Sequence, residues 1–107
     1  MKKVIVSRTK LLDYLLSTSH FVGRSKAKFF RGVGFDEQSA VELEKGLVEI
    51  ANLGDVVERI ETSYGIKHII DGTLKTPSGR EVQIRTVCME EPKGHNLQFV
   101  TAYSWRE

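Results

Sequence analysis

Apolar residues recur along this chain with two different periods, and the change falls near Gly54. Before it, Leu11, Leu12, Leu15 and Leu16 repeat at helical spacing and predict an amphipathic helix over about 8–17, with Ser7 or Thr9 as its cap. A connection over 18–23 leads to a short helix over about 24–31, with Gly32 as its stop. Asp36 then caps the strongest helix in the pattern, over about 37–52. Its stripe is Ala40, Leu43, Leu47 and Ile50, and Gly54 lies just past its end. Glu37, Glu42, Glu44 and Glu49 fall mostly off that stripe and read as a solvated face.

Beyond Gly54 the period shortens. The pattern predicts strands over 65–75, 81–90 and 96–105, separated by the turn signals Thr76-Pro-Ser-Gly79 and Glu91-Pro-Lys-Gly94. The segment 56–62 fits either an edge strand or a helical extension. Helices first and strands after argue for an α+β fold. N-terminal helices, about 7–54, pack on a three- or four-stranded antiparallel meander, about 56–105.

At 107 residues the chain fits a single domain over 1–107. No apolar run approaches the roughly 20 residues of a membrane span. Lys2 and Lys3 precede only Val4-Ile5-Val6, too little for a signal-peptide core. The single cysteine, Cys88, forms no internal disulfide, so a cytoplasmic protein is expected. His20, His68 and His95 are too far apart in sequence for zinc spacing, and no metal or cofactor is expected. Gly32-Val-Gly34 has neither the preceding strand nor the third glycine of a nucleotide-binding loop.

Charge changes this picture. Residues 1–31 carry eight bases against Asp13, a net +7, whereas residues 32–107 carry eight bases and thirteen acids, a net −5. Such asymmetry suggests an anionic partner for the N-terminal third, unless folding interleaves the two halves and cancels the field.

The segment Ser19-His-Phe-Val-Gly-Arg-Ser-Lys-Ala-Lys-Phe-Phe30 concentrates the candidate chemistry. At 100° per residue, Arg24, Lys28 and Arg31 fall within about 60° of one another and form a basic stripe. Lys26 falls between Phe29 and Phe30, toward the packed side. Two readings fit: the stem packs while the amine reaches water, or the amine lines a cleft and meets a phosphate. His20, in the loop before this helix, is the residue type suited to proton transfer near neutral pH, and it fits an exposed structural role equally. His68 alternates with Ile66 and Ile70, which places it at the core or the sheet rim; Cys88 reads as a small strand residue. In the last strand, Leu97, Phe99, Thr101 and Tyr103 alternate as one face, with Arg85 and Thr86 within reach from the strand before. Arg, Thr and Tyr on a sheet beside His and Lys would serve a phosphodiester; ordinary cross-strand pairing explains the same residues.

The runs Lys10-Leu-Leu-Asp-Tyr-Leu-Leu-Ser17, Ser19-His20, Gly23-Arg-Ser-Lys-Ala-Lys-Phe-Phe30 and Gly34-Phe35 resemble an uncharacterised bacterial family. Tyr64-Gly65 and Phe99-Val-Thr-Ala-Tyr103 extend the resemblance over nearly the whole chain; Val87-Cys-Met89 departs from it, where the pattern calls for a tryptophan. The layout of helices followed by an antiparallel sheet resembles the barnase, EndoU, colicin and RelE group of ribonuclease toxins. That resemblance implies metal-independent cleavage of RNA by 2′-OH attack. It implies catalytic roles for His20, Lys26, Thr101 and Tyr103, and substrate binding by Arg24, Lys28, Arg31 and Arg85. RNA and a small antitoxin-like protein are the implied partners. The alternative is a non-catalytic binding module, or the partner or immunity-like component of a two-gene system.

Overall fold

The computed structural model describes residues 3–7, 24–90 and 96–106, the side chains of 3, 24–26, 105 and 106 excepted. The helix predicted over 8–17, the turn predicted over 91–94, His20 and His95 lie outside the described residues. In chain order the elements are β1 (Lys3–Ile5), α1 (Arg24–Gly32), a single helical turn (Glu37–Ser39), α2 (Ala40–Leu53), β2 (Asp55–Thr62), β3 (Gly65–Lys75), β4 (Glu81–Glu90) and β5 (Asn96–Arg106).

The helical turn that leads into α2 starts from Asp36. Its carboxylate accepts from the Gln38 and Ser39 amides at 2.9 and 3.0 Å, and the Asp36 amide donates back to Ser39 Oγ at 2.9 Å. This reciprocal box satisfies amides that a helix end leaves without partners. One side of α2 then buries Ala40, Leu43, Leu47, Ile50 and Ala51. Gly54 ends the helix, but not as the left-handed cap its position suggests, since its φ is −75°. Close approach requires the glycine: a Cβ there would lie 2.5 Å from the carbonyl oxygens of both Ile50 and Asp71.

The strands form one sheet in the order β1-β5-β4-β3-β2. Strands β2 to β5 make the expected antiparallel meander, and the undecided segment 56–62 is its edge strand. Two features correct the expected sheet. Among the described residues it has five strands rather than three or four, and it is mixed, because β1 runs parallel to β5 with Val4 opposite Leu97. A strand therefore precedes the helices. A three-residue apolar run predicts no strand by itself; it acquires one by pairing with residues more than ninety positions away.

The core lies between the helices and one face of the sheet. Ile70 and Leu74 of β3, Val82, Ile84 and Cys88 of β4, and Leu97, Phe99 and Ala102 of β5 join Leu43, Leu47 and Ile50 of α2. Phe30 of α1 enters the same cluster and meets Phe35 edge to face, with ring centroids 6.4 Å apart. Each such side chain contributes about 1.5–3 kcal/mol by leaving water.

Candidate functional site on the outer sheet face

Strand pairing puts directly opposite residues on one face of a sheet. On β3 and β4 the core-facing set is Ile70, Gly72 and Leu74 against Thr86, Ile84 and Val82. The intervening residues therefore share the other face, with Asp71 opposite Arg85 and Ile69 opposite Val87. Strand β5 changes side within its length. Phe99 pairs with Cys88, but Thr101 pairs with Val87, so Val100 is an extra residue in a β-bulge. Leu97 and Phe99 face the core before it; after it Ala102 faces the core, and Thr101 and Tyr103 take the outer face. The expectation that Leu97, Phe99, Thr101 and Tyr103 line one face is corrected by that single residue.

Asp71, Arg85 and Tyr103 consequently form one row across three strands, with Thr101 one row further along beside Val87. Arg85 donates from Nε to Asp71 Oδ1 and from Nη2 to Asp71 Oδ2, both at 2.8 Å. This fork-to-fork pairing fixes the plane of the guanidinium. The hydrogen bonds to Asp71 hold the Arg85 pKa above its ordinary value, helped by the Asp71 charge and by the interaction with Tyr103. Arg85 and Asp71 are both partly buried. The row thus presents a fixed cation beside a phenol, with the Thr101 hydroxyl nearby. Chemically it can orient an anion; proton transfer to and from a substrate needs a further group.

Of the residues expected to serve a site, the structure gathers Arg85, Tyr103 and Thr101 on the outer face. Lys28 is exposed on α1, in the helix layer. Arg31 pairs with Glu37 through both guanidinium nitrogens, an exposed ion pair that raises the Arg31 pKa and lowers that of Glu37. Arg24 and Lys26 lie on the α1 backbone, with side chains outside the described set, and His20 is outside it altogether. Asp71 is the member that sequence reading missed. Its signal is parity: it sits between Ile70 and Gly72, out of step with the core residues of β3.

Two further titratable groups, His68 and Cys88, lie on the covered face. His68 is buried and its Nε2 is 2.9 Å from Glu90 Oε1. Cys88, directly opposite His68 in register, is fully buried, and burial pushes its thiol up to about 11. A thiol so raised is protonated at neutral pH and is no nucleophile. Among the described residues, no group of three His, Cys, Asp or Glu side chains is placed to hold a metal ion, and no helix is long and apolar enough to cross a membrane.

The fold and its sequence place the chain in a defined class. It belongs to the family of a domain of unknown function (DUF6883), whose family model matches residues 1–106. Its backbone is similar to a chain of the contact-dependent growth inhibition toxin–immunity protein complex from Klebsiella pneumoniae 342, with a TM-score of 0.76 and 21% identity. The likeness covers 95% of this chain and 93% of that one, and at this identity it is a likeness of fold. No curated protein matches the sequence.

Proposed function

We propose that this chain is the RNA-cutting member of a bacterial toxin–immunity pair. The observation that carries the reading is the convergence of Arg85, Tyr103 and Thr101 on a sheet face that none of the described helices covers. The likeness to a chain of a toxin–immunity complex supports the setting, and with it a protein partner of the immunity or antitoxin kind.

In this reading a ribose 2′-oxygen attacks the adjacent phosphorus. A base takes the 2′ proton, the bond from phosphorus to the 5′ oxygen breaks, and an acid protonates that oxygen. The products are a 2′,3′-cyclic phosphate and a 5′-hydroxyl. Arg85, held by Asp71, stabilises charge on the non-bridging oxygens, and Tyr103 or Thr101 donates a hydrogen bond. His20 and Lys26 are the proposed proton-transfer and electrostatic partners from the N-terminal segment, each proton transfer contributing about 10² to 10⁴ in rate. Arg24, Lys28 and Arg31 hold the RNA backbone, so binding weakens with salt.

The test is incubation of the purified chain with total RNA in excess chelator. Cleavage leaving 2′,3′-cyclic phosphate ends, lost in His20→Ala and in Arg85→Ala, is the expected result. Intact RNA with a folded wild-type chain would rule out the nuclease and leave the non-catalytic partner.

A further inference from the structure

We infer that the outer edge of β2 is a docking edge for an extended, basic segment of a partner protein, which adds to the sheet as a sixth strand. β2 ends the sheet order, so one side of its eight residues has no neighbouring strand among the described residues. Edge strands are commonly protected by charged side chains, above all lysine, by proline, by β-bulges or by a covering element. β2 contains neither lysine nor proline, and seven of its eight residues are exposed; it does carry a bulge at Val57 and four charged residues, which restrict pairing to a partner of matching register and charge.

The apolar surface of the described residues collects at this same edge. Of five exposed large hydrophobic side chains, four fall within 53–64: Leu53 at 79% exposure, Val56 at 54%, Val57 at 51% and Tyr64 at 80%. Val56 and Val57 are adjacent on β2, and Leu53 and Tyr64 stand at its two ends, so apolar side chains are exposed along the length of this edge. Backbone pairing supplies the affinity in strand addition, and the alternating side chains supply the selectivity.

Charge selects the occupant. Within β2, Asp55, Glu58 and Glu61 stand against Arg59 alone, a net −2 on a chain whose total is +2. At the start of the strand a cleft of about 230 Å³ is lined by Glu49, Leu53 and Asp55 among others, and it suits the stem and head of a lysine or arginine. A second copy of β2 would double the negative charge along the seam, whereas a basic strand offsets it. Complementary charge of this kind speeds encounter and excludes wrong partners. The edge lies two strands from Arg85, although the cleft at its start is also lined by Asp71, the carboxylate that holds Arg85.

The probe is a pair of peptides, acetyl-Lys-Val-Lys-Val-Lys-Val-Lys-amide and its counterpart with glutamate in place of every lysine. Hydrogen exchange of the full chain is read residue by residue with each. The lysine peptide is expected to slow exchange of the β2 amides that point away from β3, and the glutamate peptide to leave them unchanged. The exposed double substitution Glu58→Lys with Glu61→Lys should weaken the lysine peptide at least about tenfold while the other strands keep their protection. Equal protection by both peptides, protection only outside β2, or β2 protection that rises with protein concentration without peptide would each overturn the proposal, the last by showing a second copy at the edge.

Discussion

On β4, Ile84, Thr86 and Cys88 turn into the core and are fully buried, while Arg85 between them is partly exposed and tied to Asp71 and Tyr103 on the neighbouring strands. The covered face is selected for shape and apolar area. The outer face carries an arginine held in a fixed plane by Asp71, with the Tyr103 and Thr101 hydroxyls on the neighbouring strand. Thr86 shows the contrast within one residue: its hydroxyl is buried, and it donates to the Ile70 carbonyl at 2.8 Å. On the covered face, then, a polar atom is consumed by the backbone. On the outer face, polar side chains pair with one another.

Two substitutions break this division most directly. Phe30→Ala removes a fully buried ring from the covered side and is expected to destabilise the fold by about 3–5 kcal/mol, read by urea denaturation. A loss below about 1 kcal/mol would mean that α1 does not belong to the core. Arg85→Ala should do the reverse. RNA cleavage should fall by about 10²- to 10³-fold, the scale of losing one oriented donor at a developing charge, while the unfolding midpoint moves less than in Phe30→Ala. If Arg85→Ala unfolds the chain as readily as Phe30→Ala does, the Asp71–Arg85 pair is a structural tie and the outer face is no site.

The legibility of the two faces differs for a physical reason. The stripe of α2, the capping aspartate and the turns bounding β3 and β4 are local signals, and they place those elements within a residue or two. Membership of a face is non-local. Strict alternation in 97–103 gave no sign that Val100 would be extruded and carry Thr101 and Tyr103 across the sheet. The Asp71–Arg85 pair and the His68–Glu90 pair each depend on the register of β3 against β4, which no single segment encodes. The strand β1 depends on β5 in the same way. Arg85, Thr101 and Tyr103 were legible as residue types suited to a phosphodiester; that they share a face is information the fold adds.

A subtler probe of the covered face is His68. Its imidazole and the Glu90 carboxylate are both largely buried and lie 2.9 Å apart. His68→Leu keeps an apolar side chain there but removes one partner of Glu90, so a loss of about 1–3 kcal/mol is expected in denaturant. Glu90→Gln, which can still hydrogen-bond the imidazole, should cost less. Equal losses for the two would show that a neutral amide does not replace the carboxylate, and that the pair depends on the charge of Glu90.

The smallest effect expected concerns Cys88, and it sharpens the contrast because it tests enclosure alone. The thiol stands opposite His68 in register and is fully buried, with its pKa pushed up from 9.0 to about 11. The unfolded chain therefore releases this proton before the folded chain does. Burial of the neutral thiol contributes its full stability below about pH 9, and that contribution declines as the pH rises from there toward about 11. Between pH 7 and 8 the stability should not depend on this group, and a thiol reagent should label Cys88 only as fast as the chain opens. Labelling at pH 8 should accelerate with urea in step with unfolding. Rapid labelling of the folded chain without denaturant would show that the covered face admits solvent at β4, and the division between the two faces would fail there.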